Sequence, residues 1–219
     1  MNCDTGELAW ASQDRDAGYA TPVPVPDVEP KQVIIGSSRS YVCVEVASGA
    51  EVWRQRWLTT FGCNAADPII DAGRIFLSSG YNRGAALLKP GGDDAPQVVW
   101  KSKEMQNQIS TSVLVDGYLY GIHGDVDHEP VLRCMEFASG KVMWSDTRVR
   151  PGGLIAAGDR LIVLSDSGDL VLGVASRSGF ELTSRHTVLE GTCWTAPVLS
   201  AGQIYCRNSD GVLVCVDVR

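Results

Sequence analysis

Apolar and polar positions alternate along this chain in short runs, each closed by a glycine turn. The pattern is clearest at Pro68-Ile69-Ile70-Asp71-Ala72-Gly73-Arg74-Ile75-Phe76-Leu77, and again at Val113-Leu114-Val115-Asp116-Gly117-Tyr118-Leu119-Tyr120. It returns at Leu154 to Val163 around Gly158 and at Val198 to Tyr205 around Gly202. Glycine reaches positive φ without steric cost, so Asp-Gly or Ala-Gly between two alternating runs predicts a tight hairpin. A second hairpin follows in each unit, at Ser79-Gly80, Gly124-Asp125, Ser167-Gly168 and Asp210-Gly211. No stretch of helical length keeps an i, i+3, i+4 apolar pattern, so helices are expected to be scarce.

These hairpins belong to a repeat. Residues 43 to 53, Cys-Val-Glu-Val-Ala-Ser-Gly-Ala-Glu-Val-Trp, match residues 134 to 144, Cys-Met-Glu-Phe-Ala-Ser-Gly-Lys-Val-Met-Trp, at six of eleven positions. Degenerate copies occur at Lys89-Pro90-Gly91-Gly92 leading to Trp100 and at Asp4-Thr5-Gly6-Glu7-Leu8-Ala9-Trp10. The unit is about 43 residues and holds four short strands, the signature of a β-propeller, whose sheets cover their faces by packing on their neighbours. The predicted fold is all-β: a propeller of four-stranded antiparallel blades, about five in this chain. The blades fall near 21–57, 65–101, 111–145, 153–184 and 194–219. The last stops before its outer strand, and the first residues supply only such a strand. Two architectures fit. Either Glu7 to Ser12 pairs with Leu213 to Val218 and closes a five-bladed ring, removing two open edges, or the chain is the C-terminal arc of a larger propeller.

Composition narrows the function. With 44% hydrophobic residues and a net charge of −7, the chain is neither disordered nor suited to neutralising phosphates, and nucleic acid is not an expected partner. No apolar run is long enough to span a bilayer. Met1 to Glu7 carry neither a basic nor an apolar leader region and resemble the interior of a domain.

At these repeats the chain resembles the bacterial PQQ-like β-propeller repeat family. The resemblance rests on Arg74-Ile75-Phe76, Gln203-Ile204-Tyr205, Asp4-Thr5-Gly6-Glu7-Leu8-Ala9-Trp10 and the two Ala-Ser-Gly-x-x-x-Trp copies. That family includes quinoprotein alcohol dehydrogenases and the propeller lipoprotein of the outer-membrane β-barrel assembly machinery, and it implies an extracytoplasmic setting, periplasmic in bacteria, for the full-length protein. Segments such as Asn64-Ala65-Ala66-Asp67-Pro68-Ile69 are also similar to those of uncharacterised exported propellers. A quinoprotein enzyme would bring PQQ and calcium. Its members typically carry a Cys-Cys pair under the cofactor, and no adjacent cysteines occur here. No calcium-holding set falls at matching positions either, so the expectation is no cofactor and no catalytic residue. The leading function is a non-catalytic scaffold that docks a protein or polar ligand; a quinoprotein-type oxidoreductase, or a degenerate relative, is the alternative.

Several residues invite chemistry. Cys43, Cys134 and Cys215 occupy one repeat position where other blades show Ala86 and Gly173, a place for a small buried side chain, and free cysteine acts as a small hydrophobe. No C-x-x-C is present, so zinc is not expected. Asp125, Asp127 and Glu129 alternate in a loop and are the only candidates for a hard cation, but no bidentate glutamate follows at the familiar spacing. His123 ends a strand and His186 stands in a connector, neither beside a nucleophile. Trp10, Trp53, Trp100 and Trp144 recur once per blade and are expected to pack between blades; Trp194 breaks that rule and is expected near the channel. In a propeller the connectors between blades share one face with the loop between the second and third strands, and here they are rich in amides and hydroxyls. The candidate top-face ligand site is Asn64, Asp67, Gln106, Asn107, Ser110, Arg150 and Trp194, with Arg83 and Arg207 at the rim. The competing expectation is that these connectors satisfy their own backbone.

Overall fold

A computed structural model describes residues 2–13, 17–91, 94–125 and 128–219. Every regular element but one 3₁₀ turn is a strand. The first blade is β1 (Val23–Pro24), β2 (Gln32–Gly36), β3 (Ser40–Glu45) and β4 (Glu51–Arg56). The second is β5 (Ile69–Asp71), β6 (Arg74–Ser79), β7 (Gly84–Gly91) and β8 (Asp94–Ser102). The third is β9 (Val113–Val115), β10 (Tyr118–Asp125), β11 (His128–Glu136) and β12 (Val142–Asp146). The fourth is β13 (Gly152–Ala157), β14 (Arg160–Ser165), β15 (Asp169–Ser176) and β16 (Gly179–Thr187), and β17 (Val198–Ser200), β18 (Gln203–Arg207) and β19 (Leu213–Asp217) follow. Each sheet is an antiparallel meander in chain order, four strands wide in the first four and three in the last. The molecule is a β-propeller, as the repeat predicts.

The inner hairpins turn as the sequence requires. Ala72-Gly73, Asp116-Gly117 and Ala201-Gly202 each place two successive residues at positive φ, the geometry whose twist matches that of paired strands. In the outer hairpin of each four-stranded blade, the register shifts at a β-bulge directly after Cys43, Leu87, Cys134 or Leu172. These four are therefore equivalent, and Leu87 and Leu172, rather than Ala86 and Gly173, occupy the repeat position of Cys43 and Cys134. The position takes a leucine because it points across the gap to the next blade, where volume is filled, whereas Ala86 points back to the previous blade.

Alternation along the strands sends successive residues to opposite neighbours, and four hydrophobic cores result, one per blade interface. Ile34, Tyr41, Cys43 and Trp53 meet Ile75, Leu77, Ala86 and Leu88 between the first two blades. Phe76 and Leu87 meet Leu119 and Met135 between the next two. Cys134 and Leu132 meet Leu161 and Val163, and Ile162 and Leu164 meet Ile204 and Cys206. The tryptophans fasten these interfaces. Trp100 Nε1 donates to Phe137 O at 3.0 Å and Trp144 Nε1 to Ser176 O at 2.8 Å, each reaching the outer turn of the following blade. Trp10 does the same to Val46 O at 2.8 Å on the first blade. Its ring lies so close to Gly49 that a Cβ there would sit 2.4 Å from it.

Of the two architectures the repeat leaves open, the ring closed through residues 7–12 and β19 is not formed. Among the described residues, β19 pairs only with β18, and residues 7–12 pair with no sheet.

Candidate functional site

Two of the connector amides, Asn64 and Asn107, bond to groups of the adjoining blades. Asn64 is fully buried. Its Nδ2 donates to Ser37 O at 2.9 Å and Trp57 O at 3.1 Å, while Oδ1 accepts from Thr59 Oγ1 at 3.2 Å and Ser79 Oγ at 3.1 Å. Ser79 Oγ in turn accepts the Trp57 indole N–H at 3.0 Å, and Tyr41 OH donates to Ala66 O at 3.0 Å. The whole cluster closes the gap between the first and second blades. Desolvation raises the Tyr41 phenol far above its ordinary range, so it stays a donor. One blade on, Asn107 repeats the arrangement. It donates to Ile122 O at 3.0 Å and accepts from Ser112 Oγ at 2.9 Å, and its backbone N–H donates to Ser78 Oγ at 3.0 Å.

Asp67 is a staple of the same kind. Its Oδ1 accepts the Thr21 backbone N–H at 2.6 Å, and its own N–H donates to Thr111 Oγ1 at 2.9 Å. Thr21, Asp67 and Thr111 stand just before the inner strands of three consecutive blades, so the two bonds run around the channel wall. Gln106 is buried, with Nε2 donating to Lys103 O at 3.3 Å and Oε1 without a hydrogen-bond partner; Ser110 is buried in the same connector.

The remaining predicted residues are exposed or occupied. Arg83 stacks its guanidinium 3.7 Å over the Trp57 ring, and partial burial lowers its pKa, a contact worth about 1 kcal/mol. Arg150 lies 3.6 Å from Asp166. Trp194 is 64% exposed, and Arg207 is exposed at the end of β18. No hydrogen bond or ion pair among the described residues joins Arg150, Trp194 and Arg207 to the Asn64, Asp67 and Asn107 group. Asp127 lies outside the described residues, as do the side chains of Asp125 and Glu129. Among the described residues no group of three or more His, Cys, Asp or Glu is placed to hold a metal. His123 pairs with Val131 across the β10–β11 hairpin, and His186 with Leu170 across β15–β16. The seven cysteines are free thiols, and burial pushes those of Cys43, Cys134 and Cys206 up to about 11.

What the connectors leave open is a groove of about 1210 Å³ on the first blade, between the β2–β3 turn and the segment after β4. Arg39, Arg54, Arg56, Leu58 and Phe61 line it. Arg54 is held by Glu51 at 2.5 Å and by Ser40 Oγ at 2.8 Å. Phe61 is 85% exposed and sits at φ +64, a left-handed backbone that bulky residues rarely adopt. Its ring touches solvent and the edge of Tyr81, 5.5 Å away in a T-shaped contact. Sequence patterning did not single out Phe61, Leu58 or Arg56; the available signal was two large apolar residues inside an otherwise polar connector.

Fold and repeat together define the class: a propeller of PQQ-like repeats. The family model described as outer membrane protein assembly factor BamB matches residues 1–146, more than half of the chain, and the chain belongs to that family. Among solved structures, BamB from Moraxella catarrhalis is similar over 95% of this chain and 72% of its own, at 16% identity and a TM-score of 0.55. The computationally designed Ika8 protein is similar over 90% of this chain and 71% of its own (9% identity, TM-score 0.54). The computationally designed Ika4 protein is similar over 69% and 89% (10% identity, TM-score 0.52). At such identities the likeness is one of fold. No curated protein matches the chain. No helix among the described residues is long and apolar enough to cross a membrane.

Proposed function

We propose that this protein is a non-catalytic docking propeller that grips a partner protein at the first-blade groove, with Phe61 as the anchor. A ring that is 85% exposed on a left-handed backbone serves no purpose in the core, and strain kept at an exposed position is a mark of recognition surfaces. Arginine beside aromatic and aliphatic groups is the composition of protein interfaces. Arg56 and Arg39, beside the Glu51-paired Arg54, line the groove with guanidinium groups in a chain of net charge −7, which suits a partner segment carrying acidic and apolar residues. Membership of a family described as an outer membrane protein assembly factor supports an extracytoplasmic setting and a partner among proteins assembled there.

The connector amides support a site without cofactor. Asn64, Asp67 and Asn107 already bond to neighbouring backbone groups, which favours blade-to-blade fastening over a ligand pocket for the top-face set. A photo-crosslinking residue at position 58, on the wall of the same groove, is expected to trap one partner protein in the full chain, and Phe61→Ala with Arg56→Ala to lose that capture without a change in melting temperature. Capture that is indifferent to both changes would move the docking site elsewhere. Retention of PQQ absorbance after desalting with calcium would favour the oxidoreductase.

A further inference from the structure

A second aromatic residue near Phe61 also stands on a left-handed backbone. In the loop between β6 and β7, Tyr81 and Asn82 have φ +53 and +55. Asparagine tolerates that conformation, whereas a bulky aromatic residue there is an outlier. Among the described residues Tyr81 belongs to none of the four hydrophobic cores, so packing at a blade interface does not account for it. Its side chain instead spans two connectors. The ring meets that of Phe61 in a T-shaped contact at 5.5 Å, and the hydroxyl accepts a hydrogen bond from Gln108 Nε2 at 3.0 Å. The Cys63 thiol, two residues beyond Phe61, interacts with the same side chain.

The loop that carries Tyr81 is itself held from both sides. Arg83 N donates to Gly80 O at 3.0 Å and closes the turn. The Arg83 guanidinium stacks 3.7 Å over Trp57, which leads into the Phe61 connector. From the next connector Lys103 Nζ donates to Asn82 O. Gln108 lies so near Gly80 that a Cβ there would stand 3.0 Å from the Gln108 Cβ. A strained residue persists where its surroundings over-determine it, and these contacts do so for Tyr81.

We propose that Tyr81 is the positioning residue of the docking anchor: braced by Gln108, it holds the Phe61 ring in one orientation before a partner arrives. The role rests on the reading of Phe61 as that anchor. An exposed ring free to rotate has to be ordered on binding, and ordering it beforehand removes that cost. The T-shaped contact is suited to the task, because aromatic pairs attract in a preferred geometry and not merely by proximity. Glycine would meet the backbone requirement at position 81 without strain, so a tyrosine there serves through its side chain.

The test reads the anchor directly. A 4-fluorophenylalanine placed at position 61 of the full chain is expected to show a fluorine resonance displaced from its position in the urea-unfolded chain, because the Tyr81 ring lies against it. Tyr81→Gly, which relieves the backbone, is expected to keep the melting temperature and to move the resonance to the unfolded position. Gln108→Ala, which leaves the loop backbone as it is, is expected to move it in the same direction, and Tyr81→Phe, which keeps the ring, to retain most of the displacement. A resonance that stays in place in both Tyr81→Gly and Gln108→Ala overturns the proposal. Tyr81→Gly is further expected to lower the yield of the crosslink at position 58 about two- to tenfold, the worth of one pre-ordered side chain. The fluorine shift is read without any partner, so a chain that shows the displacement but never crosslinks keeps the positioning contact and loses the docking reading.

Discussion

Asn64 carries more of this fold than its polarity suggests. Its side chain satisfies two carbonyls and two hydroxyls that the packing of Trp57 and Tyr41 has removed from water. Unmade hydrogen bonds in such a place cost more than made ones contribute. Asn64→Ala is expected to lower stability by about 2 kcal/mol, measured by urea denaturation, with Asn107→Ala close behind. The buried thiols set a second expectation. Cys43, Cys134 and Cys206 have their pKa raised from 9.0 to about 11 by desolvation. Above 9.0 the unfolded chain releases thiol protons that the folded chain keeps, so stability is full below 9.0 and falls as pH rises towards about 11. Urea midpoints should therefore drop between these limits, and the drop should shrink in Cys43→Ala. At neutral pH a thiol reagent should label Cys3 and Cys215, which are exposed, well before the buried Cys43, Cys134, Cys193 and Cys206.

The unit of construction at the next scale is the outer hairpin with its bulge, its glycine turn and the tryptophan of the preceding blade laid across that turn. Gly140 has φ +72, and a Cβ there would stand 2.9 Å from the Trp100 ring. Gly140→Ala therefore meets both a strained backbone and an immovable indole, and is expected to cost about 1 to 3 kcal/mol. Trp100→Phe, which keeps most of the apolar area but loses the bond to Phe137 O, should cost about 1 kcal/mol. If the two substitutions proved additive in a double-mutant cycle, the ring and the glycine would not be acting as one contact. The tryptophan ladder and the glycine turns were legible in the sequence, because both recur at the repeat spacing. The bulge was not, since an extra residue in one strand leaves no mark in an alternation that resumes on the other side. That is why Cys43 was aligned with Ala86 instead of Leu87.

For the molecule as a whole, stability is a sum over blade interfaces, as in other repeat proteins. The second, third and fourth blades share a core on both sides, whereas among the described residues the three-stranded fifth sheet shares one with the fourth alone. Hydrogen exchange should accordingly be faster in β17–β19 than in β14 and β15.

The alternation of apolar residues, the paired positive-φ turns and the forty-odd-residue period are local properties, and from them follow strands, hairpins, blades and a propeller. Which polar side chains remain free is a different kind of property. Asn64, Asp67 and Asn107 have the composition of a binding site, and only the packing of the blades commits them to backbone groups such as Ser37 O, the Thr21 N–H and Ile122 O. Phe61 was inconspicuous until the connector's left-handed turn carried its ring outward. Backbone periodicity is written residue by residue, whereas the accessibility of a side chain exists only once the sheets are packed.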